Sequence, residues 1–92
     1  MVTTTLPVLE RWILVPSADT CEGCRYLARV GLFRRGVGPE PGLHPYCNCV
    51  RRRVSFRGLS LAAINLLTAE ADANGARAGR ILTRALNLRD RS

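Results

Sequence analysis

The sequence predicts a small α+β domain, a compact β module followed by a C-terminal helical tail of one or two helices. Three observations carry that expectation. All four cysteines fall in two tight groups, Cys21-Glu22-Gly23-Cys24 and His44-Pro45-Tyr46-Cys47-Asn48-Cys49. Short apolar and β-branched runs separated by turn residues occupy residues 6–57. Beyond residue 58 apolar residues recur at helical spacing. At 92 residues the chain is one domain, small enough that a bound metal commonly makes up for a modest core.

The elements follow in order. Residues 1–5 are small and polar and read as a flexible arm. Residues 6–15 (LPVLERWILV) suit a strand, and residues 16–20 a turn leading into the first cysteine pair. Residues 25–33 suit a short helical turn and then a strand. Gly36, Gly38, Pro39, Pro41, Gly42 and Pro45 mark residues 34–46 as an irregular loop. Residues 50–57 (VRRRVSFR) alternate in part, which predicts a strand with Val50, Val54 and Phe56 facing one way, broken by Arg52. Ser60 is an N-cap candidate, and Leu61, Ile64, Leu67 and Ala71 share one helical face. Asn74-Gly75 reads as a stop or break. A second helical run places Ala78, Ile81, Leu82, Ala85 and Leu86 opposite Arg77, Arg80 and Arg84. The organisation is an arm (1–5), a β module (6–57) and a helical tail (58–92) within one domain.

The two cysteine groups have the spacing of a structural zinc site. A CxxC turn presents two sulfurs to one ion, and Gly23 is expected to supply the backbone freedom of a knuckle. The 22 residues between Cys24 and Cys47 let the chain return with the other ligands. Two ligand sets are open. Cys21, Cys24, Cys47 and Cys49 make four thiolates, with Cys47 and Cys49 on the same side of an extended segment. Alternatively His44 and Cys47 form an HxxC knuckle and leave Cys49 as a buried thiol. The four-thiolate set is preferred, and residues 6–57 then read as a zinc-ribbon-like module. The N-terminus lacks a charged region followed by an apolar one, so a reducing compartment is expected, where cysteines bind metal rather than pair.

Charge narrows the partners. The formal charge is +7, and every basic residue is Arg. Such a surface attracts nucleic acid or acidic protein. Arg34 and Arg35 before the loop, with Arg51, Arg52, Arg53 and Arg57 after it, are expected to form a basic patch for non-specific contact with DNA or an acidic surface. Aromatics make up only 5% of the chain, too few to interleave for base stacking, and no DNA-reading motif is present. No apolar run is long enough to span a membrane.

Trp12, Asp19, the CEGC of residues 21–24, Leu27 and the HPYCNC of residues 44–49 together resemble the cysteine-rich end of the phage Mu protein F-like head morphogenesis proteins. Members show a Trp, an Asp just ahead of a CxxC, a Pro/Gly-rich loop and HPxCxC. The resemblance covers roughly residues 12–53. Asn48 stands where Arg is common, the family's larger N-terminal helical region has no counterpart, and the helical tail lies outside the resemblance. It implies a zinc module carried by a virion protein made in the host cytoplasm, with capsid, portal or tail subunits as partners and many copies in a symmetric particle.

Catalysis is not expected. The seven acids form no evident pair, and the single histidine belongs to the cysteine group. Asp19 reads as a cap of the turn before Cys21. A site with four or five protein ligands leaves no open position on the metal. The functional expectation is a non-enzymatic minor head or head–tail adaptor. The alternative is a cytoplasmic zinc-ribbon-like regulator that binds nucleic acid, and a third class is a redox or metallochaperone protein.

Overall fold

The computed structural model describes residues 6–14, 21–41 and 49–90. The element order is β1 (Leu9–Ile13), α1 (Glu22–Val30), β2 (Leu32–Arg34), β3 (Val50–Arg53), α2 (Leu61–Ala76) and α3 (Ala78–Asp90). The strands form one antiparallel sheet in the order β2-β1-β3. Successive strand residues point to opposite faces, and both faces of the sheet are covered where it is apolar. Leu9 and Leu32 pack with Ala71 of α2, backed by Val54, Phe56 and Leu67. Trp12 and Phe33 point the other way, into a cluster with Cys21, Cys24 and Leu27 of the α1 segment and Ile81 and Ala85 of α3. The molecule is a small α+β fold with a C-terminal helical region, as the sequence predicts.

One side chain ties the open end of the sheet together. Arg51 on β3 is only 3% exposed. Its Nη1 donates to the carbonyls of Val37 and Pro39, both at 2.8 Å, and its Nη2 to the carbonyl of Arg34 at 3.0 Å. The guanidinium lies 5.3 Å from the Phe33 ring centre. Its Nε is 3.1 Å from Glu10 Oε1, an ion-pair distance without hydrogen-bond alignment. Gly38 sits between the two carbonyls at φ +86°, and a Cβ there would collide with the Phe33 ring. The loop after β2 therefore needs glycine for its conformation and for the closeness of the ring.

The helical tail is part of the core. Ser60 caps α2, its Oγ accepting from Ala63 N at 3.1 Å. Ile64 and Ala71 are buried as expected, whereas Leu61 is 62% exposed. The break expected at Asn74-Gly75 falls at Arg77 instead. Asn74 is buried in the last turn of α2, where its Nδ2 donates to Leu32 O (2.8 Å) and Val30 O (3.3 Å), bolting α2 to the α1–β2 junction. On α3, Ile81 and Ala85 face inward, while Leu82 is exposed.

Gly23 also has a different role from the one its knuckle position suggested. It lies in the first turn of α1, and its φ is not positive. A Cβ there would strike Ala85 O, so glycine allows α1 and α3 to touch. Arg34 Nε pairs with Asp72 Oδ1 at 2.6 Å and joins β2 to α2 on the surface. The hydrogen bond from Arg34 holds the Asp72 carboxyl below its usual range.

Two outcomes follow from these contacts. Arg51→Ala strands the carbonyls of Val37 and Pro39 and removes the ion-pair partner of Glu10, so it is expected to cost about 3 kcal/mol, seen as a lower urea midpoint at unchanged slope. A midpoint equal to wild type would show the clamp to be dispensable. The exposed Asp72 contributes above its free pKa of about 3.9 and loses that contribution as pH falls through its lower folded value. The melting-temperature gap between wild type and Asp72→Asn is expected to be small at neutral pH and to close on acidification through that window.

Candidate metal centre

The CxxC pair lies at a helix N-terminus and not in a strand-to-strand knuckle. Helix α1 starts at Glu22, earlier than the sequence suggests. Cys21 is its N-cap, with Sγ accepting from Cys24 N at 3.4 Å. A sulfur in place of the usual hydroxyl oxygen satisfies one of the donors left open at the helix start. The same turn brings Cys24 round beside it, with the two Sγ atoms 3.4 Å apart. Two thiolates on one tetrahedral ion, each about 2.3 Å from it, stand about 3.8 Å apart. The pair thus needs an outward shift of only a few tenths of an ångström to share a metal.

Cys49, just ahead of β3, joins Cys21 and Cys24 in the buried cluster that also holds Trp12, Leu27 and Phe33. All three cysteines are reduced. Trp12 Nε1 is a buried donor with no hydrogen-bond partner among the described residues. It lies in the same cluster, where thiolate sulfur is the acceptor chemistry such an N–H fits. Among the described residues no group of three or more His, Cys, Asp and Glu side chains is close enough to hold a metal ion. His44, Cys47 and Asp19 lie outside the described residues, as do the expected arm, the turn at 16–20 and the HxxC knuckle. The residues present fit half of a tetrahedral thiolate site, with a third thiol buried nearby.

The expected basic patch is dispersed. Arg34 and Arg51 belong to opposite edge strands, separated by β1. Arg51 is turned inward and spent on the loop, and Arg34 pairs with Asp72, so neither presents a free guanidinium. Arg35, Arg52, Arg53 and Arg57 remain exposed. Nothing in the sequence separates Arg51 from its neighbours Arg52 and Arg53. Its role depends on the β2 loop folding back within reach. Two surface hollows, one lined by Leu6, Pro7, Arg53, Val54, Ser55 and Phe56 and the other by Gly79, Arg80, Thr83, Arg84 and Asn87, do not reach the thiols.

No family model, no curated protein and no solved structure matches the chain.

A CxxC at the start of a helix is also where dithiol redox proteins carry their reactive pair. Two observations oppose that chemistry here. The sheet is wholly antiparallel among the described strands, and Cys21 and Cys24 are only 6% and 1% exposed. Both thiols are expected to resist iodoacetamide in the native protein and to react within minutes in denaturant. Fast native labelling of Cys21 would instead favour the redox reading.

Proposed function

We propose that the chain is a non-enzymatic structural protein of a phage virion, a small zinc-stabilised adaptor of the head or the head–tail junction. The observation that carries this reading is one cluster. Trp12, Cys21, Cys24 and Cys49, which belong to the motif that resembles the phage Mu F-like proteins, meet as neighbours in the core. Cys21, Cys24 and Cys47 would hold the metal, with the fourth ligand from Cys49 or His44. A bound zinc ion supplies folding free energy, and with four protein ligands it offers no open position for chemistry.

The chain's own residues do the rest. Trp12, Leu27 and Phe33 shield the thiols from water, and α3 closes over α1 at Gly23. Arg35, Arg52, Arg53 and Arg57 present positive charge to acidic subunit surfaces or packaged DNA. In a symmetric particle, repeated copies make weak single contacts add up. The same exposed arginines also suit the alternative, a cytoplasmic zinc-ribbon-like regulator that binds nucleic acid.

Elemental analysis is expected to find about one zinc per chain, with the fold lost on chelation. Cys24→Ser should abolish metal retention and destabilise the α1 end of the sheet. A protein that stays folded without metal would sink the staple. Mass spectrometry of purified particles is expected to find the chain at many copies, and its absence would overturn the virion assignment. Gel shifts titrated with salt separate the two roles. Sequence preference on DNA favours the regulator, and none favours the adaptor.

A further inference from the structure

Helix α2 is apolar around most of its circumference. Its 16 residues include Glu70 and Asp72 and not one basic residue, in a chain of formal charge +7. A helix that is apolar all round is normally covered all round, yet the described residues cover only one side. Ile64, Leu67, Ala71 and Asn74 point to the sheet side, where they are buried or half-buried. On the opposite side, Ala62, Leu66, Ala69, Ala73 and Ala76 are all exposed. Their spacing alternates strictly between three and four residues, which is the spacing of a helix–helix seam. Leu66, in the middle, is 73% exposed.

We propose that a second copy of this chain covers the seam, with the two α2 helices packed antiparallel about a twofold axis. Size complementarity selects this occupant. In the antiparallel register Leu66 faces Ala69 of the other copy, and Ala73 faces Ala62. In the central layer a large residue meets a small one, with Ala on Ala to either side. A parallel pair would stack Leu66 on Leu66 and force the helices apart there.

Charge points the same way. Glu70 then faces Ala63 of the other copy, and Asp72, already paired with Arg34 of its own chain, faces Asn65. No like charges meet along the seam. For a protein this basic, self-association requires a face without Arg, and α2 supplies one. Antiparallel helix dipoles also attract. Such a contact is isologous and closes at two copies. The seam lies on the opposite sheet face from the thiols, so it stands or falls apart from the metal.

The test is sedimentation equilibrium on the full chain. Wild type is expected to show a concentration-dependent dimer. Leu66→Arg and Ala69→Glu, both at exposed positions, should each weaken it at least about tenfold with an unchanged circular dichroism spectrum. Mixing the two variants should restore the dimer, because only the antiparallel register sets Arg at 66 against Glu at 69. A wild type that stays monomeric up to about 1 mM, or a dimer indifferent to Leu66→Arg, would overturn the proposal. A mixture that remains monomeric would overturn the antiparallel packing.

Discussion

The fold depends on a buried guanidinium. Arg51 reaches from the outer strand β3 across the central strand to the loop beyond β2. A charge withdrawn from water is tolerated only where its donors find acceptors, and three carbonyls, a carboxylate and an aromatic face meet that demand. The loop is thereby fixed, since releasing it would strand those acceptors. The strand is fixed as well, with Arg51 in register opposite Trp12. Cys49 stands two residues before Arg51, so the same clamp places the third thiol in the core.

The sheet divides the molecule's chemistry between its faces. One side holds the thiols, Trp12 and Phe33 under α1, with α3 laid against α1 through Gly23. The other side holds the aliphatic contact with α2. The exposed arginines of the strands, α1 and α3 leave α2 as the face without positive charge. Edge strand β3 carries three consecutive arginines, a charge pattern that discourages further strands from adding to the sheet.

Local signals read well where a single residue type sets the conformation. The Ser60 cap, the helical spacing through Ile64 and Ala71, and the apolar run that becomes β1 were all visible, because each depends on near neighbours. The reading failed where a distant partner decides. Asn74-Gly75 looks like a stop, but two carbonyls at the α1–β2 junction hold a buried Asn74 within the last turn of α2, which runs on to Ala76. Gly23 looks like a knuckle glycine, but the carbonyl of Ala85 dictates its size. Arg51, Arg52 and Arg53 are indistinguishable in a list of residues.

The sequence by itself determined the class of fold, the pairing of Cys21 with Cys24 in one turn and the strong positive charge, because composition and short-range spacing suffice for these. Tertiary structure alone decided which arginine turns inward, that the helical tail completes the core, and that the described residues leave one face of α2 bare. Those outcomes hang on contacts between residues some twelve to sixty positions apart, and no local pattern encodes which of several equivalent side chains will meet its partner.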